Sequence, residues 1–411
     1  HNKKEGGMVM KLGIYGGTFN PPHLGHLTSA QAAMDVLGLD HLQFVPAAEP
    51  PHKQLPQGSP SPEARLAMVE LAADSLLLPD RIGVSAIELS RPGKSYTADT
   101  LEQLHAQHPE AELWLMMGTD MFLTLQHWRE PERITRLAGV CTFARTQSDS
   151  GEALAIQADY LQKTFGAHTC VLQLPHIVDV SSTQLRELLA KGEGQAYLPP
   201  AVYGYIIRHG LYGVHYDLKH LPDRELRACA CSMIRAKRIA HIRGTEEEAV
   251  RLARRWGADE EKARRAGILH DITKYLEMDE QLQLCRKYGI VLDDLEQHAV
   301  KLLHSKTGAC VARDMYGVDD EIYNAIFWHT TGKADMTLLE KILYIADYME
   351  PNRDFPGVER LRKLAYEDLD QAVLAGCEMS VQEMADRKLP VHQNTLQARD
   401  WLRNKSSRKE P

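Results

Sequence analysis

From residue 11 to about residue 213, short apolar runs alternate with stretches whose apolar side chains recur three and four residues apart. Residues 12–15, 42–45, 82–85, 113–117 and 140–144 have the length of buried strands, and 29–37 and 63–73 have the period of helices. Strands alternating with helices predict an α/β doubly wound parallel sheet, Rossmann-like in arrangement. The pattern changes after Pro199-Pro200, where one more short helix is followed by a polar stretch ending Leu221-Pro222. From there nearly every window has helical period, with helices expected over 224–239, 246–256, 299–316 and 338–349. Breaks are expected at Gly257, Gly289, Gly317 and Gly332. The chain therefore divides into an α/β domain over 11–213, a linker over 214–222 and an all-α domain over 223–403. The charged tail at 403–409 is expected to fray.

Length agrees with this division, because 411 residues exceed what one ordinary core organises. The net charge of −8, with no long basic run, argues against nucleic acid as a partner. Seven cysteines are scattered without a Cys-x-x-Cys pair, and Cys229 and Cys231 stand too close for a metal knuckle, so neither a disulfide framework nor a zinc ribbon is expected. No apolar run approaches the ~20 residues that cross a bilayer. His1-Asn2-Lys3-Lys4-Glu5 lacks the apolar stretch of a signal peptide, and the residues ahead of Met8 or Met10 are left out of the fold reasoning. A cytoplasmic location without membrane attachment is the expectation, and the oligomeric state stays open.

Candidate chemistry begins where the first strand ends. Gly13-Ile-Tyr-Gly-Gly-Thr-Phe-Asn-Pro-Pro-His-Leu-Gly-His26 joins a strand, a glycine-rich turn and a helix start, with Pro22 expected in the first helical turn. Such a turn lets backbone N–H groups approach a phosphate, which the helix dipole favours. His23 and His26, three apart, would project from one face toward that phosphate. A single histidine there is as readily a helix cap, but two in a glycine-rich turn point to phosphate chemistry. Far downstream, Ser181, Ser182 and Thr183 are of the type that caps a helix, and Arg186 one turn later has a fork suited to phosphate.

The segment Gly16-Gly-Thr-Phe-Asn-Pro-Pro-His-Leu-Gly-His26 resembles the phosphate-binding motif of the nucleotidyltransferase superfamily, and more narrowly that of nicotinate-mononucleotide adenylyltransferases. Val180-Ser-Ser-Thr-Gln-Leu-Arg186 is similar to that family's second box. The resemblance implies that Gly16, Gly17, Thr18, Phe19, His23, His26, Ser181, Ser182, Thr183 and Arg186 bind ATP, with His23, His26 and Arg186 catalytic. It also implies that Lys53, Thr97, Asp120, Trp128 and Arg145 hold the mononucleotide. The implied reaction is attack of the mononucleotide phosphate on the α-phosphorus of ATP, with Mg²⁺ travelling on the ATP phosphates and pyrophosphate leaving. Phe143-Ala-Arg145-Thr146 departs from the family's usual Arg-Pro-Gly. Adenylyltransferases acting on phosphopantetheine usually carry Gly-Thr-Phe-Asp at the first box, where this chain has Asn20. The nicotinamide mononucleotide is the nearer rival, since one donor or acceptor separates it from the acid.

In the helical half, His241, His270, Asp271, His304, His329 and Asp347 are imidazoles and carboxylates without a thiolate, donors that suit iron, manganese or zinc. His241-Ile-Arg-Gly244, Leu269-His-Asp-Ile-Thr-Lys274, Leu303-His304, Trp328-His329-Thr-Thr-Gly332 and Ile345-Ala-Asp347 resemble the ordered ligand pattern of HD-domain phosphohydrolases. The stretch from Ile345 to Gly357 is similar to the YqeK type. What the resemblance implies is two metal ions, iron or manganese, and symmetrical hydrolysis of diadenosine tetraphosphate to two ADP. Asp271, having two oxygens, is the natural bridge between the ions. Lys274 and Arg353 are the candidates for contacting the polyphosphate. The alternatives are a domain hydrolysing another nucleotide, or one that only senses nucleotides.

Overall fold

A computed structural model describes residues 8–144, 151–174, 176 and 178–408. The chain forms two compact units that divide between His215 and Tyr216, so residues 216–222 go with the second.

In the first unit, β1 (Lys11–Gly17), α1 (Leu24–Leu37), β2 (His41–Pro46), α2 (Pro62–Asp74), β3 (Ile82–Val84), α3 (Thr97–Gln107) and β4 (Glu112–Gly118) come in that order. They are followed by α4 (Thr119–Leu123), α5 (Pro131–Leu137), β5 (Ala138–Phe143), α6 (Gly151–Phe165), β6 (Thr169–Leu172), α7 (Ser182–Ala190) and α8 (Pro200–His209). All six strands run parallel in the order β3-β2-β1-β4-β5-β6. The chain winds outward from β1 in one direction and from β4 in the other, which opens a crevice at their carboxyl ends. Buried Leu12, Ile14, Leu115, Met117, Leu101 and Val140 belong to the core beneath that crevice.

Sequence pattern missed β6, a four-residue strand at the sheet edge. It also misplaced Pro22. The first helix starts at Leu24 with His23 as its cap, so Pro22 lies before the helix and not in its first turn.

Among its described residues the second unit is helical: α9 (Asp223–Cys231), α10 (Ile239–Trp256), α11 (Glu260–Leu269), α12 (Met278–Tyr288), α13 (Val300–Tyr316) and α14 (Asp320–Phe327). α15 (Leu338–Met349), α16 (Val358–Glu367), α17 (Leu369–Asp386) and α18 (Gln393–Ser407) complete it. Gly257, Gly289 and Gly317 end α10, α12 and α13 in left-handed conformation, as expected. Gly332 instead lies in the turn beyond α14, which has already stopped at Phe327.

The single helix expected over 224–239 is two pieces. α9 stops at Cys231, and a 3-10 turn over Ala236–Arg238 leads into α10. At the break, the Ser232 hydroxyl donates to the Cys229 carbonyl at 2.6 Å, a local bond that competes with helix continuation. The tail does not fray before Ser407, since Lys405 pairs with Asp370 at 2.9 Å, Arg403 with Glu378 at 3.0 Å, and Gln371 donates to Ser406 at 2.6 Å. Together these contacts hold α18 along α17.

Candidate functional site

At the end of β1 the chain turns through Phe19, whose φ of 48° is left-handed. Such a conformation is strained for a bulky residue and is held by packing. Its ring lies 5.0 Å from that of His26 and 5.7 Å from that of Phe44. The two histidines then cap α1 reciprocally: the Gly25 N–H donates to His23 Nδ1 at 3.0 Å, and the His23 N–H donates to His26 Nδ1 at 3.0 Å. Capping and phosphate binding are therefore not alternatives. An Nδ1 that accepts a backbone N–H leaves the proton of a neutral imidazole on Nε2, so the caps fix both rings as Nε2–H donors. Gly25 makes this possible, because a Cβ there would stand 2.7 Å from His23 Cε1.

The second box reaches the first. Ser181 caps α7 with its side chain accepting from Gln184 N, and Gln184 accepts in return from Ser181 N. Arg186 on that helix donates to the Asn20 carbonyl at 2.8 Å and to Thr183 Oγ1 at 3.2 Å. Ser182 and Thr183 open the same turn, so the phosphate turn and the α7 start face one another across one hydrogen bond.

The expected mononucleotide residues are more spread out. Lys53 is exposed on the loop after β2, and its neighbour His52 places its ring 4.8 Å from that of Trp128, which brings that loop to the tryptophan. Thr97 opens α3, and Asp120 is exposed on α4 directly after β4. Arg145 lies outside the described residues. Below Thr97, buried Glu88 accepts from Thr100 Oγ1 at 2.9 Å, and its carbonyl accepts from Ser95 at 3.3 Å. Burial pushes the Glu88 carboxyl up to about 7, against the opposing Thr100 bond and the Arg91 charge.

In the second unit the six expected ligands converge. Nε2 of His241 stands 2.9 Å from Asp347 Oδ1 and 3.2 Å from His270 Nε2, which is 3.4 Å from the same Asp347 oxygen. Asp271 divides its oxygens. Oδ2 lies 3.3 Å from His270 Nε2, while Oδ1 lies 3.3 Å from His304 Nε2 and 3.5 Å from His329 Nε2. Two ligand atoms each about 2.1 Å from one cation and at right angles stand about 3 Å apart, so these separations fit ligands around metal. The proton positions fit too. Nδ1 of His270 bonds the Gly267 carbonyl at 2.7 Å and Nδ1 of His329 the Ile326 carbonyl at 2.6 Å, while His241 Nδ1 faces Glu350 Oε1 at 3.3 Å. Each such bond turns an Nε2 lone pair toward the centre.

Electrostatics follow from crowding. Burial alone would lower the His270 imidazole, but Asp271 and Asp347 outweigh it and raise it to about 10. Burial would likewise raise Asp271 and Asp347, yet the surrounding imidazoles hold both carboxyls well below the usual range. Lys274 is half-buried one turn beyond Asp271, and burial lowers its ammonium. Arg353 donates to the Asp347 carbonyl at 3.1 Å and approaches its Oδ1 at 3.5 Å.

Sequence reasoning missed two members of this centre. Arg238 grips Asp271 Oδ2 with Nε and Nη2, both at 2.9 Å, and Glu350 backs His241. Glu350 also accepts from the Asn352 N–H and side-chain amide, each at 2.9 Å. A signal for Glu350 existed in Gly244, where any Cβ would overlap the Glu350 carboxylate.

Two families match the two halves of the chain. A cytidylyltransferase-like family model matches residues 14–188, and an HD domain model matches residues 238–352. A probable nicotinate-nucleotide adenylyltransferase of Syntrophotalea carbinolica is 37% identical over 216 residues, 49% of this chain and 97% of the relative. A symmetrical bis(5'-nucleosyl)-tetraphosphatase of Bacillus subtilis is 38% identical over 179 residues, 43% of this chain and 96% of the relative. Another tetraphosphatase of that kind, from Halalkalibacterium halodurans, is 39% identical over 160 residues, 39% of this chain and 85% of the relative.

Proposed function

We propose, for a chain that belongs in its first half to the nicotinate-nucleotide adenylyltransferase family and in its second to the HD-domain symmetrical bis(5'-nucleosyl)-tetraphosphatases, that both reactions run on the one polypeptide. The observation that carries this is that each unit gathers its own candidate residues: the phosphate turn, His23, His26 and Arg186 before residue 215, and all six ligands after it.

In the first unit, nicotinate mononucleotide attacks the α-phosphorus of ATP through its phosphate, giving nicotinate adenine dinucleotide and pyrophosphate. His23 and His26 donate from Nε2 to phosphate oxygens, backbone N–H groups of Gly16 to Phe19 cradle them, and Arg186, with Ser181, Ser182 and Thr183, takes the leaving end. No side chain acts as a nucleophile. Positioning and charge stabilisation are what such a transfer needs. Mg²⁺ carried in on ATP supplies further charge neutralisation. Lys53, Thr97, Asp120, Trp128 and Arg145 form the mononucleotide side, and the acid form is preferred over the amide because its carboxylate takes backbone donors near Thr97 and Trp128.

In the second unit, His241, His270, Asp347 and Asp271 would hold one ion, and His304, His329 and Asp271 the other. Iron or manganese suits mixed nitrogen and oxygen donors without thiolate. Bound there, the pair supplies a nucleophilic water at neutral pH and a clamp on the attacked phosphate. Asp271 keeps one oxygen toward each set, and Glu350 with the Gly267 and Ile326 carbonyls keeps the rings oriented. His270 must give up its proton when an ion enters. Lys274 and Arg353 meet the polyphosphate of diadenosine tetraphosphate, which is cut symmetrically to two ADP. The compartment proposed is the cytoplasm, consistent with seven free cysteines.

The test is turnover by the same purified chain of nicotinate mononucleotide with ATP and, separately, of diadenosine tetraphosphate. Dinucleotide formed from the first pair and ADP alone from the second are expected. Diadenosine tetraphosphate left intact while another nucleotide is consumed, or none is, would replace the second half of this proposal.

A further inference from the structure

Arg65, on α2, is the largest fully buried side chain among the described residues, with 0% exposure. Its guanidinium donates from Nη1 to the carbonyls of Thr18 at 2.9 Å and Ala47 at 2.6 Å, from Nη2 to Ala48 at 3.0 Å, and from Nε to Pro60 at 3.4 Å. Thr18 belongs to the phosphate turn. Ala47 and Ala48 begin the loop that carries His52 and Lys53. No carboxylate among the described residues comes within ion-pair distance of Arg65; the exposed Glu63 carboxylate acts on it only at longer range, burial outweighs that attraction and lowers the guanidinium, and carbonyl dipoles are its direct partners.

Burying an ion costs several kcal/mol, and an apolar side chain of similar size is often as stable or better at such a position. Four carbonyls take four of its five N–H donors but leave the net charge. That charge stands directly behind the turn on which the first unit gathers its phosphate donors. The turn is held by three further contacts at Asn20: its carbonyl accepts from Arg186, its Oδ1 from the Tyr212 hydroxyl at 2.6 Å, and its Nδ2 donates to Ser59 Oγ at 2.9 Å. Ser59 lies in the loop after β2, and the Ala47 N–H also donates to the Gly17 carbonyl at 2.9 Å, but Arg65 bonds Thr18, Ala47 and Ala48 through one side chain.

We infer that Arg65 is a positioning residue for adenylyl transfer, tying the ATP-phosphate turn at Thr18 to the acceptor loop at Ala47 and Ala48 so that the two substrates are held in register, with their phosphates as its balancing charge. This rests on the adenylyltransferase reading of the first unit. It gives α2 a role that its apolar pattern conceals: a core helix contributes one cation that links two substrate loops. The consequence is coupling, in which filling the ATP side tightens the acceptor side through shared carbonyls.

Calorimetry on the full chain tests this. The affinity for nicotinate mononucleotide is measured with and without a non-hydrolysable α,β-methylene ATP, in wild type, Arg65→Lys and Arg65→Met, alongside kcat, both KM values and the melting temperature. Wild type is expected to bind the mononucleotide at least about fivefold more tightly with the analogue present. In Arg65→Lys, which keeps the charge but cannot span three carbonyls, that ratio falls to about one and kcat drops about 100-fold. Its KM for ATP stays within about threefold, whereas in Arg65→Met, which also loses the charge, the KM for ATP rises about tenfold. A purely structural role would lower the melting temperature of both variants while leaving the binding ratio, kcat per folded chain and both KM values as in wild type. That result, or a wild type with no coupling, overturns the inference. Should Arg65→Met not fold, Arg65→Lys decides alone through its binding ratio. A wild type that binds both ligands yet makes no dinucleotide would instead sink the reading on which the inference rests.

Discussion

The candidate site of the first unit leans on backbone N–H groups beside its side chains, whereas that of the second is made of side chains. Around the phosphate turn, the proposed ligand groups are N–H donors, two rings whose tautomers the backbone sets, and Arg186 brought in from α7. In the helical unit, five helices or helix ends each bring an imidazole or carboxylate to one centre, all buried except the half-buried Asp347, and backbone carbonyls steer two of the rings. The difference follows from what must be held. A passing polyphosphate is gripped by many weak donors that let go, whereas an ion that stays needs lone pairs fixed to within a few tenths of an ångström. Damage should therefore spread differently, and four variants test this.

The largest effect is expected from Asp271→Ala. Removing the carboxylate shared by both histidine sets leaves neither set complete, so metal content and diadenosine tetraphosphate hydrolysis fall together, hydrolysis by at least about 1000-fold. Adenylyl transfer by the same chain stays unchanged. Elemental analysis beside both assays checks this, and normal hydrolysis or at most one metal per active chain would end the two-ion proposal. Next comes His26→Ala, which deletes one cap and the phosphate donor proposed for it. Transfer is expected to drop about 100- to 1000-fold with hydrolysis intact, and the melting temperature to shift by no more than one lost cap, about 1 kcal/mol, allows. Loss of both activities in a folded variant would defeat the independence of the units.

A middle effect belongs to Gly244→Ala. The added methyl displaces Glu350 and frees His241 to rotate, so metal affinity and hydrolysis should fall about 10- to 100-fold together, rescued in part by excess metal. An unaltered metal titration would show that Glu350 does not orient His241. Smallest for either activity is Glu88→Gln, which speaks to stability alone. The folded Glu88 carboxyl sits at about 7, above its ordinary value, so the folded chain binds the proton more tightly than the unfolded one. Its contribution is full below pH 4.5 and is lost as pH rises through 7. Relative to wild type, the glutamine variant should be neutral near pH 4 and more stable by about 2–3 kcal/mol at pH 9. Melting curves across that range decide it, and a difference independent of pH would refute the assignment.

How legible all this was depended on the distance over which each feature is written. Five strands, the glycine-rich turn, the α7 cap and the six ligands lie in local patterns, and the structure forms those elements and brings the ligands together. β6 was not legible because four residues at a sheet edge carry no distinctive period. The break after Cys231 was not legible because serine is tolerated in helices, and the Ser232 bond to the Cys229 carbonyl that accompanies the break leaves no mark in the sequence. Arg238 and Glu350 act on residues 33 and 109 positions away, and Arg65 on one 47 away, so each looks locally like one more charge on a helix or loop. The close approaches at Gly25 and Gly244 were likewise not read from the sequence, because the group each glycine faces, His23 or Glu350, is known only from the structure.

The chain divides between His215 and Tyr216 with every described candidate residue of one site on one side and of the other on the other. Encoded this way, the two centres are produced by a single act of translation, and every finished molecule contains one of each. Their ratio is then immune to differences in promoter strength, messenger lifetime or degradation that would separate two independent polypeptides. A cell can raise or lower the amount of both, but it cannot change the proportion between them without cutting the chain.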